Sequence, residues 1–501
     1  MDADVIVIGS GFAGSIAAAR LVDAGHKVLI LERGPWRRTA PVAAAGIDDT
    51  APLPAAHSKP TYTVRGMRLA TGPRKLTLNK RGLLELHLGK GMKCYSSSGV
   101  GGGSHIWGGV CARTLHPDYW DGVSAGLSQA AMNPHYDRVE QELGVNRPTN
   151  ASHMPNHTTY KWKDMPFLED ISEEEQLALA WIFPPEFGGD KPTNNRNPST
   201  LSGDDGTFGS ANGAKATVDV IYLIPRLGEK LTVRDLHEVQ SISGRDGAYT
   251  VSVRDLKRGE NRSYNAPRVI LAAGTMNTVR LLCQAEERGG LKKMPALGMR
   301  FGTNGDFSGT WQPGGDRDST RGTSAHGRFY FDGAERGSDI GIFIGGADKP
   351  PLPAWIPGFL KNKMWDVGAT FQVIAMGPDK AEGTLRFDNG RLRLDYDPGT
   401  SPVYEKIFKA FDNLGRLSGK KVKFDRKALF TCHPMGGCRI SDDPRAGVVD
   451  AMGEVHGNPG LYVTDASTLP APTGLPPSIT IAARASFVGE NLAKAISGSS
   501  Q

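Results

Sequence analysis

The chain has few of the residues and patterns that mark secreted or membrane-bound proteins. Its 501 residues include only five cysteines, at scattered positions, which form neither a disulfide framework nor paired zinc-ligand spacing. The N-terminus lacks the basic region and small-residue cleavage site of a signal peptide, and no apolar run is long enough to cross a bilayer. We therefore predict a cytoplasmic protein without an integral membrane segment.

A strong excess of one charge is also missing. The 59 Lys and Arg residues against 53 Asp and Glu give a net charge of +6, and no basic run is interleaved with aromatic residues. Nucleic acid is therefore not expected as a partner. Glycine, by contrast, is abundant at 63 residues, which indicates many tight turns or close backbone approaches. The length favours two domains or one elaborated large domain.

The first 32 residues carry the pattern of a dinucleotide-binding unit. The segment GSGFAG, with Gly9, Gly11 and Gly14, lies between the strand-like DVIVIG and a helical segment, and Glu32 ends the next predicted strand. The glycines permit a tight turn, close approach to a pyrophosphate and close helix–strand packing. Glu32 is suited to accept hydrogen bonds from a ribose. A tight turn between strand and helix, without a ligand, is the alternative interpretation.

Two other segments are candidates for a site. GVGGGSHIWGG, residues 99–109, has glycines around Ser104 and is interpreted as backbone pressed against a ligand, with a flexible loop as the alternative. HPMGGC, residues 433–438, places His433 beside a proline and a glycine turn. By its own pattern this histidine is either structural or chemical. Cys438 has no second pair of ligands at zinc-like spacing, so we predict no metal.

The C-terminal segment predicts a strand that leads into a long helix. GLYVTDAS, residues 460–467, has the pattern of a buried strand with Asp465 at its carboxyl end, where open α/β sheets bind ligands. In the following PTGLPPSIT, the adjacent Pro476 and Pro477 mark the start of the last helix, because proline is tolerated at the first helical position. The amides of this helix start should face the same edge. A capped helix start without a ligand is the alternative.

The remaining segments differ in pattern. Short alternating strands in 306–427, including the hairpin signal DNG, predict an antiparallel sheet. The Pro/Ala-rich stretch 34–60 is interpreted as loop or an irregular connection, and the punctuated stretch 190–213 as a surface excursion. The proline-rich yet apolar segment 348–365 is either a lid over an apolar site or a surface connection.

Taken together, these motifs resemble the glucose–methanol–choline (GMC) family of FAD-dependent oxidoreductases, within it the cholesterol-oxidase-like branch. The ordered matches are GSGFAG with Glu32, GVGGGS, RVILAAGTMNTVRLL, FGTNGD, HPMGGC, and GLYVTDAS with PPSITIAARA. The resemblance implies an α/β fold of the GMC or p-hydroxybenzoate-hydroxylase-like architecture, in which a Rossmann-like FAD-binding domain is joined to a substrate domain with a mostly antiparallel β-sheet. The implied FAD-binding domain is discontinuous, and the two domains comprise residues 1–120, 205–305 and 428–501, and residues 121–204 and 306–427, respectively.

The resemblance also implies which residues hold FAD. The adenosine would lie over Glu32 and Val239, the pyrophosphate at 9–14, and the isoalloxazine near 101–104 and Asn304. The full set of implied cofactor-binding residues is Gly9, Gly11, Phe12, Ala13, Gly14, Glu32, Arg33, Gly101, Gly102, Gly103, Ser104, Trp107, Gly108, Val239, Ala273, Gly274, Asn304, Gly305, Asp465, Ala466, Pro477 and Ser478.

The same resemblance assigns the chemistry to His433, which would accept or orient the proton of the substrate hydroxyl while hydride leaves the carbinol carbon for the flavin N5. In the family an Asn or His usually assists, but that position is Pro476 here, which has no side-chain donor or acceptor. Trp107 stands where cholesterol oxidases usually have Asn. His105 stands one position before the histidine that carries FAD covalently in some relatives, so non-covalent FAD is expected.

The activity implied by the resemblance is oxidation of an alcohol to a carbonyl. We expect a small-molecule substrate, namely a secondary, bulky alcohol of sterol, terpenoid or glycoside type, and O2 or an unidentified electron acceptor. Pro476 motivates two alternatives. In the first, the flavin scaffold serves another reaction, such as double-bond oxidation, isomerisation or lyase chemistry. In the second, the protein binds flavin without turnover.

Overall fold

A computed structural model describes the chain apart from residues 55–59, 70–74, 151–152, 157–170, 176, 190–194, 203–204, 246, 316, 332–339, 347–356, 358–369 and 499–501. The segment 348–365, interpreted above as a lid or a surface connection, lies outside the described residues except for Pro357. The described α-helices are α1 (Phe12–Asp23), α2 (Ala40–Ala44), α3 (Gln129–Leu143), α4 (Thr275–Glu287), α5 (Val403–Ser418) and α6 (Ser478–Gly498). Among the described residues, none of the helices has both the length and the apolar character needed to cross a bilayer.

The described strands belong to several sheets. In chain order they are β1 (Val5–Ile8), β2 (Val28–Leu31), β3 (Trp36–Arg37), β4 (Thr50–Ala51), β5 (Val64–Arg68), β6 (Leu76–Thr77), β7 (Leu84–Leu88), β8 (Lys93–Ser97), β9 (Ile171–Glu175), β10 (Asp205–Gly206), β11 (Gly209–Ser210), β12 (Leu231–Arg234), β13 (His237–Arg245), β14 (Ala248–Asp255), β15 (Glu260–Ala266), β16 (Arg268–Leu271), β17 (Phe307–Trp311), β18 (Ala325–Phe331), β19 (Ile342–Gly345), β20 (Phe371–Ala375), β21 (Thr384–Asp388), β22 (Arg391–Asp395), β23 (Phe430–Thr431) and β24 (Leu461–Val463).

A five-stranded parallel sheet in the order β12–β2–β1–β16–β24 positions the site. Its strands VIVI and VLIL are buried along their whole length, as expected for parallel strands covered on both faces. Helix α1 follows β1 directly and packs against α6. Strand carboxyl ends and helix N-termini therefore meet at one edge of the sheet. The predicted Rossmann-like arrangement is confirmed.

The predicted antiparallel sheet is also present, in the order β17–β20–β19–β18–β9. In β20 the side chains of Phe371, Val373 and Ala375 are buried, whereas Gln372 and Ile374 lie on the opposite, less buried face. This alternation gives the sheet one face in the core and one face toward a cleft.

The hairpin predicted from DNG consists of β21 and β22. Asn389 and Gly390 have φ values of 51° and 75°, the left-handed values that the two central residues of a type I′ turn require. This hairpin forms its own sheet and packs against α4, so it is not part of the five-stranded antiparallel sheet.

Two of the segments without a hydrophobic period are more ordered in their described parts than their sequence patterns indicate. The stretch 34–60 is not only loop, because it contains α2, and the hydroxyl of Thr39 accepts a hydrogen bond from the amide of Val42 at the start of that helix. The stretch 190–213 is anchored to the protein in its described part, where Arg196 is only 6% exposed and its guanidinium donates to two backbone carbonyls at 2.9 Å. In both cases side-chain-to-backbone bonds order a segment that has no hydrophobic period.

Candidate active site

A deep cleft opens where the carboxyl ends of the parallel strands face the antiparallel sheet. It holds about 2030 Å³ of empty space, part of it continuous with solvent. Ile8, Leu31 and Ala272 line it at the parallel strands, and Phe343 and Ile374 line it on the antiparallel sheet.

The glycines of the GSGFAG segment are needed for different reasons. A Cβ on Gly9 would lie 2.3 Å from the carbonyl oxygen of Ala272, and a Cβ on Gly14 would lie 2.0 Å from the oxygen of Gly9, so the protein backbone itself forbids side chains there. A Cβ on Gly11 would approach the described protein no closer than 3.9 Å, at the backbone of Gly102. Because Gly11 lines the cleft, the space beside it suits a bound group such as a pyrophosphate.

Glu32 follows β2 and lines the same end of the cleft. Its Oε2 accepts hydrogen bonds from the amide and the hydroxyl of Ser10 at 3.1 and 2.9 Å, and its Oε1 accepts from the amides of Gly34 and Gly99 at 2.8 and 3.3 Å. These bonds fix the carboxylate at 6% exposure. They join the glycine loop at Gly11 to the second glycine-rich segment. A fixed acceptor beside the phosphate-binding loop is suited to the ribose of a dinucleotide.

Three helices begin at the cleft. α1 starts beside Gly11, α4 beside Gly274 and α6 beside Pro477, and residues of all three first turns are part of the wall. The carbonyl of Pro477 accepts a hydrogen bond from the amide of Ile481 at 2.9 Å, so α6 begins directly after the two prolines, as predicted. Helix N-termini carry partial positive charge. The three together favour a ligand with phosphate groups or an electron-rich ring.

Asp465, two residues after β24, holds the start of α4 and the turn at Ser467 in place. Its Oδ2 accepts hydrogen bonds from the amide of Gly274 at 2.9 Å and the hydroxyl of Thr278 at 2.5 Å, and its Oδ1 accepts from the amide of Ser467 at 3.0 Å. Burial raises the pKa of Asp465 above its ordinary value, although the hydrogen bonds from Ser467 and Thr278 act in the opposite direction. The side chain is 4% exposed and lies in the wall of the cleft.

His433 lies in the cleft wall and is paired with Asp306. Its Nδ1 is 2.8 Å from Oδ1 of Asp306, whose other oxygen accepts from the hydroxyl of Thr431 and from the amides of Cys432 and His433 at 2.8 to 3.1 Å. The histidine side chain is 23% exposed and the aspartate 3%. Since Asp306 acts as an acceptor, Nδ1 carries the proton and Nε2 presents a lone pair. Among the described residues Nε2 has no partner.

Asp306 is a site residue that sequence reasoning did not identify. It ends the segment FGTNGD, whose Asn304 and Gly305 were taken as the cofactor contacts. The aspartate and His433 are 127 positions apart in the chain, so only the tertiary structure brings them together. The signal available in the sequence was a carboxylate directly after the glycine of this segment.

Most of the residues implied by the resemblance lie in the wall of this one cleft. They are Gly9, Gly11, Phe12, Ala13, Glu32, Arg33, Gly102, Gly103, Trp107, Gly108, Val239, Ala273, Gly274, His433, Asp465, Ala466, Pro476, Pro477 and Ser478. The residues of the implied set that are not part of the wall are Gly14, Gly101, Ser104, Asn304 and Gly305.

Two of the residues outside the wall have side chains bound elsewhere in the protein. Asn304 is fully buried, and its amide group donates to the carbonyl of Leu475 at 2.9 Å and accepts from the amide of Gly474 at 2.8 Å. It therefore supports the loop that precedes Pro476. Ser104 accepts from the amide of Val218 at 3.1 Å and anchors the glycine-rich loop. Direct cofactor contact by these two residues remains a prediction that their position in the structure does not support.

The part of the cleft along the antiparallel sheet is mainly apolar. Val110, Phe343, Ile374 and Met376 line it, and Gln372 adds one amide side chain. Such a surface suits a ligand with a largely hydrocarbon skeleton. The indole of Trp107 forms the neighbouring wall. Its ring packs edge-on against the ring of Phe12, with the ring centroids 4.8 Å apart, and its Nε1 donates to the carbonyl of Ala216 at 3.2 Å.

The fold and the cleft define a protein of the FAD-binding oxidoreductase class. Residues 4–69 match the family model "FAD binding domain", and residues 388–485 match the model "GMC oxidoreductase". The cholesterol oxidase of Mycobacterium tuberculosis is 25% identical over 97% of this chain and 90% of that protein. The paromamine 6'-oxidase of Streptomyces fradiae is 24% identical over 96% of this chain and 90% of that protein.

Two further similarities extend over nearly the whole chain. The 2-methyl-1,2-propanediol dehydrogenase of Mycolicibacterium austroafricanum is 22% identical over 99% of this chain and 96% of that protein. The crystal structure of pyridoxine 4-oxidase from Mesorbium loti superimposes with a TM-score of 0.57 at 18% identity, covering 97% and 98% of the two chains, which supports the fold. The chain is similar to GMC oxidoreductases over nearly its whole length, is an oxidoreductase and binds FAD.

Proposed function

We propose that this enzyme oxidises an alcohol to a carbonyl. The observation that carries the proposal is His433, held by Asp306 at 2.8 Å in the wall of a cleft that also contains the FAD-binding elements. The imidazole Nε2 accepts the proton of the substrate hydroxyl, and Asp306 fixes the required tautomer and stabilises the imidazolium that forms. FAD, when bound, accepts the hydride that leaves the carbinol carbon.

The cofactor is held without a covalent bond in this proposal. His105 is fully buried, and its Nε2 is 2.8 Å from the carbonyl oxygen of Val100. Its ring is therefore directed into the loop, and Ile106 rather than His105 lines the cleft. The residues suited to hold FAD are Gly11 and Glu32 at the adenosine diphosphate end and the first turn of α6 at the flavin end.

The substrate proposed for this site is a bulky, mostly hydrocarbon alcohol. The supporting observation is the apolar lining by Phe343, Ile374 and Met376, beside which Gln372 offers a single amide to a second polar group. The names of the relatives, which include a cholesterol oxidase and a paromamine oxidase, agree with an alcohol but not with one substrate class.

Pro476 favours a second candidate function. It lies in the wall of the cleft, and its side chain has no donor or acceptor to assist His433. In the second candidate the same scaffold oxidises a double bond or isomerises its substrate, and the hydroxyl proton is not removed.

Anaerobic mixing of the FAD-loaded enzyme with a panel of primary and secondary alcohols separates the two candidates. Alcohol oxidation predicts loss of the absorbance near about 450 nm, where oxidised flavins absorb. A bulky apolar secondary alcohol should bleach the flavin faster than ethanol. If no alcohol bleaches it, the alcohol proposal is wrong. Bleaching by an unsaturated substrate without a hydroxyl would then favour double-bond oxidation, and conversion of such a substrate while the flavin stays oxidised would favour isomerisation.

A further inference from the structure

An asparagine of α4 lies in the cleft wall, and its side chain has no hydrogen-bond partner in the part of the chain that the structure describes. Asn277 is in the first turn of this helix and is 4% exposed. Neither its Nδ2 nor its Oδ1 has a partner among the described residues, and both atoms are shielded from solvent. The amide is therefore satisfied neither by the part of the protein that the structure describes nor by bulk water, although the residue lines the cleft.

Such an arrangement is unfavourable unless a ligand completes it. Leaving one buried donor or acceptor unpaired costs about 1–3 kcal/mol, and Asn277 leaves one of each. An apolar side chain of similar size would avoid this cost in a purely structural position. Other polar groups at the start of α4 show the usual behaviour, since the hydroxyl of Thr278 donates to Asp465 and the hydroxyl of Thr275 donates to a backbone carbonyl.

The position of Asn277 points to one end of the bound dinucleotide. Arg280 is one turn further along α4, also lines the cleft, and lies close enough to Glu238 and Arg33 to interact electrostatically with both. Burial lowers the pKa of Arg280 to about 9. Helix α4 packs against β13, which carries Glu238 and Val239. Asn277 therefore belongs to the end of the cleft that contains Glu32 and Val239, where the adenosine is expected.

We propose that Asn277 binds the adenine ring of FAD through its paired donor and acceptor. One edge of adenine is formed by the exocyclic N6 amine, a donor, and by N7, an acceptor, and an asparagine amide is complementary to that pair. A phosphate offers acceptors only and would leave Oδ1 unpaired. The ribose hydroxyls are expected to donate to Glu32, so they too would satisfy Nδ2 better than Oδ1. The pyrimidine edge of the isoalloxazine also has a donor beside an acceptor, but the isoalloxazine is expected at the other end of the cleft. At the end that contains Glu32 and Val239, adenine is the group that satisfies both atoms.

The test compares FAD with an analogue in which hypoxanthine replaces adenine. A carbonyl then replaces the amine, so the edge formed with N7 presents two acceptors and leaves Oδ1 of Asn277 unpaired. Dissociation constants are measured by quenching of flavin fluorescence as the full chain, stripped of flavin, is titrated with each compound. The wild type should bind FAD about 10- to 100-fold more tightly than the analogue. Asn277→Leu should weaken FAD binding by about the same factor and reduce the preference for adenine by about tenfold or more.

Two comparisons keep the result interpretable. Asn133→Leu makes the same substitution at an exposed position of α3 and should leave both dissociation constants unchanged. Asn277→Ser, a smaller polar change, provides the measurement if the leucine variant does not fold by circular dichroism. If the Asn277 variants bind FAD and the analogue with equally weakened affinity, so that the preference for adenine is unchanged, the proposal is overturned. The readout is binding, so it is independent of the alcohol reaction.

Discussion

Replacing Asp306 by Asn should reverse the tautomer of His433 without changing the shape of the site. In the wild type one aspartate oxygen accepts three hydrogen bonds, from the Thr431 hydroxyl and from the amides of Cys432 and His433. The asparagine oxygen must take this position, because its NH₂ group would face three donors there. The NH₂ group then points at Nδ1 of His433 and donates to it. Nε2 consequently carries the proton and cannot accept one from a hydroxyl.

The expected loss in the rate of flavin reduction is about 10²- to 10⁴-fold, the usual contribution of a positioned base. This factor corresponds to about 3–5.5 kcal/mol in the activation free energy. Anaerobic stopped-flow absorbance measures it with an alcohol that reduces the wild type. The amount of bound FAD should stay the same, since Asp306 is not part of the cleft wall.

Asp379→Asn is the matched control for this substitution. Asp379 is also buried, and its Oδ2 accepts from the amide of Thr303 at 3.0 Å and from the hydroxyl of Tyr396 at 2.8 Å, but it has no bond to His433. The control should reduce its flavin at nearly the wild-type rate. A folded, FAD-loaded Asp306→Asn enzyme with wild-type reduction would refute the tautomer argument. Equal losses in both variants would show a general disturbance of the loop.

Three other substitutions give separate expectations. His433→Ala should lower the flavin-reduction rate by about 10²–10⁴ with FAD still bound, and unchanged stopped-flow kinetics would show that another group takes the proton. Gly11→Val should weaken FAD binding about 100-fold or more in a fluorescence titration, with little effect on folding. Gly14→Ala should instead lower the free energy of unfolding by about 1–3 kcal/mol, because its Cβ would lie 2.0 Å from a backbone oxygen. The reverse pattern would contradict the packing argument. Burial raises the pKa of Glu238, but the charges of Lys75 and Arg65 outweigh this and lower the pKa to about 2. The stabilisation from Glu238 is thus complete above its unfolded pKa of about 4.3 and is lost as the pH falls toward 2. Glu238→Gln should therefore lower the free energy of unfolding by about 3 kcal/mol at pH 7 and by about 1 kcal/mol at pH 3, measured by denaturant titration with saturating FAD. A loss that does not depend on pH would contradict this expectation.

The dinucleotide-binding part of the fold could be predicted from the sequence because its signals are local. The buried strand VIVI, the GSGFAG turn and Glu32 lie within 32 residues. Each of them follows from one local requirement of the backbone or the side chain. The same holds for α6, whose start is fixed by Pro477. The hairpin at Asn389 was predictable for a similar reason, since an Asn-Gly pair supplies the left-handed conformations that the turn needs.

The polar contacts of the site were harder to predict because they join distant parts of the chain. Asp306 meets His433 across 127 positions, and no local pattern shows which of the two neighbours, Asn304 or Asp306, faces the histidine. The structure shows that Asn304 turns toward the loop at Gly474 instead. Asn277 was missed because an asparagine in a helix is usually a surface residue, and its burial depends on packing against β13.

The central claim is that His433, held by Asp306, removes a hydroxyl proton while the carbinol carbon is oxidised. A single-turnover experiment without oxygen tests it most directly: the FAD-loaded enzyme is mixed with a bulky apolar secondary alcohol, and both the flavin absorbance and the product are measured. The account predicts one carbonyl formed for each flavin reduced, in the wild type and, far more slowly, in His433→Ala. Flavin that stays oxidised with every alcohol, or reduction without a carbonyl product, would contradict it.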